Sequence, residues 1–115
     1  PHNMHRNLVA YIGTHDNDTA LGWLTSAPPE QVNYAREYMN LSQQEGEVWA
    51  MLRTLYASVA DTVVAMAQDL LELGSQARMN VPARAEGNWK WRVASGAFIQ
   101  DLAQRLLKLT KLYGR

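Results

Sequence analysis

The chain contains no cysteine, which excludes disulfides and thiolate metal sites and leaves the redox compartment undecided. It has no excess of charge: 11 Lys and Arg balance 11 Asp and Glu, and the cations are scattered. A protein that neutralises many phosphates gathers cations on one surface, so nucleic acid is not expected as a partner. No apolar run approaches the roughly 20 residues that span a bilayer, and no signal peptide opens the chain. The expectation is a soluble, cytoplasmic protein without a membrane partner. Neither a Gly-rich phosphate loop nor a Ser-x-Gly nucleophile elbow occurs. Asp16-Asn17-Asp18 starts like a calcium loop, but Ala20 occupies the next ligand position and Ala27 the place of the bidentate Glu. His2 and His5 lack the spacing of helical zinc ligands, so no metal or other cofactor is expected.

What is present describes one modest domain. With 115 residues, 47% hydrophobic and 19% charged, the chain suits a single core over residues 1–115. Leu8-Val9-Ala10-Tyr11-Ile12 is an uninterrupted apolar run, which predicts a strand buried on both faces of a parallel sheet. Gly13 lets the chain turn out of it, and His15, Asp16, Asn17 and Asp18 follow at the carboxyl end. That is the edge where parallel α/β folds bind ligands.

Thr19 to Leu24 reads as one helical turn, and Ala27-Pro28-Pro29-Glu30 as the start of a longer helix. Ser42 and Glu45 have the spacing of a capping box for the next one. Its stripe is Val48, Leu52, Leu55 and Val59, with Trp49 and Tyr56 beside it, and Asp61 ends it. Thr62 to Ala67 is a second β-rich run, so strand, helical crossover and strand predict a parallel βαβ unit. Gln68 to Leu73 reads as a turn closed by Gly74, and Ser75 to Trp91 as a long loop. Ser95 is placed as the cap of a last helix with the stripe Phe98, Leu102, Leu106, Leu109 and Tyr113. The fold class is therefore mainly α with two short parallel strands.

On residue types alone, His15-Asp16-Asn17-Asp18 is open to two readings: a capped surface turn, or an active-site cluster. Three ordered blocks carry a resemblance that favours the second. Val9-Ala10-Tyr11-Ile12-Gly13-Thr14-His15-Asp16-Asn17-Asp18-Thr19-Ala20-Leu21-Gly22-Trp23, preceded by Pro1-His2-Asn3, is similar to the seventh-strand region of the 4-alpha-glucanotransferases, the amylomaltase or disproportionating enzymes of glycoside hydrolase family 77. Gln68 to Asn80 and Gly87-Asn88-Trp89-Lys90-Trp91-Arg92 resemble later blocks of the same family.

The resemblance implies the carboxyl-terminal two βα units of a (β/α)₈ TIM barrel, incomplete on its own because a barrel needs about 250 residues. It implies an enzyme that transfers alpha-1,4-glucan segments to glucose or a maltooligosaccharide by a retaining mechanism, with paired carboxylates as nucleophile and acid/base. Asp16 resembles neither of those. It resembles a third acid that grips the sugar at the cleavage site and stabilises the oxocarbenium-like transition state, with His15 donating to the same sugar and Asn80 contacting sugar on the acceptor side. The nucleophile and acid/base would lie upstream of Pro1, so the isolated chain is expected to be inactive. Its unpartnered apolar faces would favour dimerisation or helical rearrangement.

Other residues are assigned bland roles. Asn17 and Asp18 hold the loop in shape, Gln68 and Asp69 are structural, and Arg78 and Arg92 are loop anchors. Trp23, Trp49, Trp89 and Trp91 are possible stacking faces for glucose rings, but Trp49 is placed in the core, and Trp89 and Trp91 are assigned mainly to packing. Two alternatives belong to other classes: a helical interaction module, or a carbohydrate-binding module without catalytic ancestry.

Overall fold

The computed structural model describes residues 1–115. Its elements run β1 (Val9–Tyr11), α1 (Ala20–Ser26), α2 (Pro29–Met39), α3 (Glu47–Tyr56), β2 (Thr62–Val64), α4 (Ala67–Leu70), a 3₁₀ turn (Ser75–Ala77) and α5 (Gln100–Leu112). The strands pair in parallel, Val9 opposite Thr62, Ala10 opposite Val63 and Tyr11 opposite Val64. This is the mainly helical βαβ arrangement that the apolar runs predict.

The core is organised by α3, because six of its ten residues are buried: Val48, Trp49, Ala50, Met51, Leu52 and Leu55. Val48 and Met51 meet Ala20 and Leu24 of α1 and Val32 of α2. Leu55 meets Ala10 of β1 and Ala60. Trp49 and Leu52 meet Leu109 of α5. Ile12 packs against all three groups, so the residue just past β1 lies where they join. Full burial of Leu52 and Val48 contributes about 1.5–3 kcal/mol each.

Several expectations are corrected. The first strand is not covered on both faces: Ala10 is 4% exposed, but Val9 is 54% and Tyr11 47% exposed. The helices cover only the face that carries Ala10, and the sheet stops at two strands. Ser42 and Glu45 do form a side chain to backbone bond, Glu45 N–H donating to Ser42 Oγ at 3.2 Å, but it closes an isolated turn. The helix starts later, at Glu47, after Gly46 at φ 88°. It ends at Tyr56 rather than Asp61, so Val59 lies outside it and is exposed.

Arg115 explains that early end. Its guanidinium donates to the carbonyls of Tyr56, Ser58 and Ala60, satisfying acceptors that further helical turns would otherwise have used. Gly74 is not the left-handed cap after α4; Glu72 takes that conformation at φ 51°, while Gly74 is extended and precedes the 3₁₀ turn. Ser95 does not cap α5, which begins at Gln100 after Ile99, and Phe98 is exposed before it. Leu102, Leu106, Leu109 and Tyr113 form the packed stripe as expected, with Leu109 buried and the other three half-buried. Thr19 to Leu24 is longer than one turn: Thr19 is the cap of α1, its Oγ1 accepting from Gly22 N–H at 3.0 Å, and the helix runs to Ser26.

Candidate active site

The two loops that leave the carboxyl ends of β1 and β2 are joined. Asn80 N–H donates to the His15 carbonyl at 3.1 Å. Arg78 donates through Nη2 to the Asp16 carbonyl at 2.6 Å and through Nε to the Asn80 carbonyl at 2.8 Å. Parallel pairing alone brings these loops together, because both strands then end on the same edge.

Within each loop, side chains replace regular backbone bonding. Asn17 Oδ1 accepts from Thr14 N–H at 2.8 Å and from Thr14 Oγ1 at 3.1 Å. Asp18 Oδ1 accepts from Thr19 N–H at 2.8 Å, and Asp18 Oδ2 from Ser75 Oγ at 2.7 Å, tying the first loop to the 3₁₀ turn. Gly22 makes this approach possible: a Cβ there would lie 2.5 Å from Ser75 Oγ and 2.6 Å from Asp18 Oδ1. Asn17 and Asp18 thus have the loop-holding contacts expected of them.

Gln68 and Asp69 are buried beneath the loops. Gln68 Nε2 donates to the Ala77 carbonyl at 3.3 Å, and Asp69 Oδ1 accepts from Ala20 N–H at 2.8 Å. The Asp69 bond spans 49 residues and satisfies a donor at the start of α1, where a negative charge suits the helix dipole. Burial pushes the Asp69 carboxyl above its usual range, and the Ala20 amide offsets part of that. A cleft between the strand ends is lined by Gly13, His15, Asp18, Gln68, Asp69 and Arg78 among others.

Asp16 does not line that cleft; its side chain is 51% exposed at the surface above. Asn80 Nδ2 donates to Asp16 Oδ1 at 2.6 Å, and His15 Nε2 stands 3.3 Å from the same oxygen. Asp16 Oδ2 makes no hydrogen bond within the chain. The three candidate residues, His15, Asp16 and Asn80, therefore form one cluster although 64 positions separate Asp16 from Asn80. Such a cluster offers a held carboxylate with a free accepting oxygen, an imidazole and an amide to a polyhydroxylated ligand.

Two of the aromatic assignments stand apart. Trp49 is core, with Arg105 placed 4.0 Å above its ring. Trp89 was expected mainly to pack, yet it is 52% exposed and its ring lies 5.0 Å from that of His15. Arg92 donates to the carbonyls of Trp89 and Trp91, in keeping with a loop anchor. The Trp89 and Arg78 contacts bridge distant segments, and no local sequence pattern signals them.

Comparison with known proteins gives a consistent result. The model of the 4-alpha-glucanotransferase family, glycoside hydrolase family 77, matches residues 1–98. A 4-alpha-glucanotransferase from Clostridium butyricum is 43% identical over 116 residues, spanning 100% of this chain and 24% of that protein. A chloroplastic/amyloplastic 4-alpha-glucanotransferase from Arabidopsis thaliana is 41% identical, with 100% of this chain and 20% of that protein covered. An amylomaltase from Streptococcus agalactiae, solved in complex with acarbose, superposes with a TM-score of 0.95 at 39% identity, covering 100% of this chain and 23% of its own. The chain therefore spans less than a quarter of these relatives' length, and by family model, sequence identity and fold it belongs to the 4-alpha-glucanotransferases of glycoside hydrolase family 77.

Proposed function

We propose that the chain is the carboxyl-terminal segment, as one unit over residues 1–115, of a 4-alpha-glucanotransferase, and that it contributes the last two βα units of a (β/α)₈ barrel. The enzyme transfers alpha-1,4-glucan segments from maltooligosaccharides to glucose or another maltooligosaccharide with retention, through a covalent glycosyl-enzyme. The observation that carries this reading is the Asp16 carboxylate, held by Asn80 at 2.6 Å at the carboxyl edge of the two-stranded sheet with one oxygen left to accept.

In this reading Asp16 accepts hydrogen bonds from sugar hydroxyls at the cleavage site. Those bonds strengthen as positive charge develops at the anomeric carbon, which lowers the barrier. His15 donates to the same sugar. Asn80 has two tasks: one amide hydrogen holds Asp16, and its remaining polar capacity serves the acceptor side. The nucleophile and acid/base are supplied by strands outside this chain. The exposed face of Val9, Tyr11 and Val64 is where neighbouring barrel strands and their side chains would pack. A cytoplasmic location remains part of the proposal, and cell fractionation tests it.

Disproportionation of maltotriose by the intact enzyme tests the reading. Asp16→Ala is expected to lower kcat by about 10²–10³-fold, the loss typical of a donor or acceptor aimed at transition-state charge. Asp16→Ala at full rate, or glucan exchange by the isolated chain, overturns it.

A further inference from the structure

Trp89 is held beside the candidate site by more than chance packing. Its φ of 62° lies in the left-handed region, which is strained for a bulky residue and persists only where the surroundings enforce it. Three bonds do so. Trp89 N–H donates to the Met79 carbonyl at 2.7 Å, and Arg92 Nη1 donates to the Trp89 carbonyl at 3.1 Å. Asn88, the preceding residue, accepts from Val81 N–H at 2.9 Å and donates to the carbonyl of Arg84 at 2.8 Å. The loop from Met79 to Trp89 is thus closed on itself, with the indole at its exit.

The indole meets the His15 imidazole at 5.0 Å between ring centroids and 42° between planes, within the range of favourable aromatic pairs. His15 is otherwise loosely held, since its side chain is 55% exposed and its Nε2 lies 3.3 Å from Asp16 Oδ1. We propose that Trp89 is a positioning residue of the transfer reaction: its ring fixes the rotamer of His15 so that the imidazole stays beside the Asp16 carboxylate, in place to donate to the same sugar. The inference rests on the functional reading above. It adds that the strained backbone at Trp89 is retained to bring a flat apolar face against one imidazole.

A double-mutant cycle in the intact enzyme tests it, with maltotriose disproportionation as the readout. His15→Ala is expected to lower kcat/KM about 10²-fold, as loss of a transition-state donor does. Trp89→Ala is expected to cost about tenfold, mostly in kcat, from misplacement of that donor. Trp89→Phe, which keeps an aromatic face, should stay within about threefold of wild type on the same argument. The deciding comparison is the double variant: if Trp89 acts through His15, Trp89→Ala has no further effect in the His15→Ala background. A merely structural Trp89 gives additive losses, which overturns the inference, as does wild-type activity of Trp89→Ala. If Trp89→Ala does not fold, Trp89→Leu replaces it in the cycle, supplying apolar bulk without a flat face. A His15→Ala enzyme with undiminished activity would instead sink the site reading, so the two failures are distinguishable.

Discussion

Asp69 links the site to the stability of the fold and makes a pH-dependent prediction. The residue is 3% exposed, its Oδ1 accepts from Ala20 N–H at 2.8 Å, and burial raises its pKa above the ordinary 3.8. Asp69→Asn keeps an accepting oxygen and removes the buried charge. Asp69→Ala removes both, leaving the amide of a residue that is itself 2% exposed without a partner. That unsatisfied donor costs about 1–3 kcal/mol, before any cavity is counted.

The pH dependence has a definite sign. The folded carboxyl holds its proton to higher pH than the unfolded one, so the native state binds more protons between the two pKa values. The stability Asp69 contributes is complete below about 3.8 and is lost as pH rises through the raised value. Asp69→Asn has no such loss. Its stability relative to wild type should therefore be more favourable at about pH 7 than at about pH 4. Urea unfolding followed by the fluorescence of the four tryptophans measures the difference at both pH values. A difference independent of pH, or Asp69→Asn as damaging as Asp69→Ala at neutral pH, would refute the reasoning.

Further outcomes follow from packing and backbone geometry. Leu52→Ala, at a fully buried position where α3 meets α5, should cost about 2–5 kcal/mol in the same urea assay. Glu72→Gly should stabilise by up to about 1 kcal/mol, because glycine relieves the φ of 51° while the Arg105 pair lost with it, 3.9 Å apart and exposed, is worth little. A destabilised Glu72→Gly would mean the pair matters more than the backbone. The isolated chain should self-associate through the open sheet face of Val9, Tyr11 and Val64, and Tyr11→Lys should shift sedimentation toward monomer.

The sequence by itself determined the order and type of the elements. The apolar runs at Leu8–Ile12 and Thr62–Ala67 each hold a three-residue strand, Val9–Tyr11 and Thr62–Val64, and the helical stripes between and after them survive in the structure because the core packs against them. It also determined which residues were candidates: the blocks around His15, Asp16 and Asn80 are contiguous strings. Helix ends were less legible. Ser42, Asp61, Gly74 and Ser95 all have the right chemistry for a boundary, but α3 ends where Arg115 captures the carbonyl of its last residue, Tyr56, and the left-handed turn falls on Glu72. Local propensity differs by only about 1 kcal/mol among such options, and one tertiary bond outweighs it.

Only the tertiary structure decided that the candidates form a single site. The Asn80 bond to Asp16, the Arg78 bridge, the Asp69 cap on α1 and the Trp89 contact with His15 each join segments far apart in the chain. Such partners are set by the parallel register of two strands, which brings their carboxyl ends to one edge, and a one-dimensional pattern carries no record of which distant loops that register will place together.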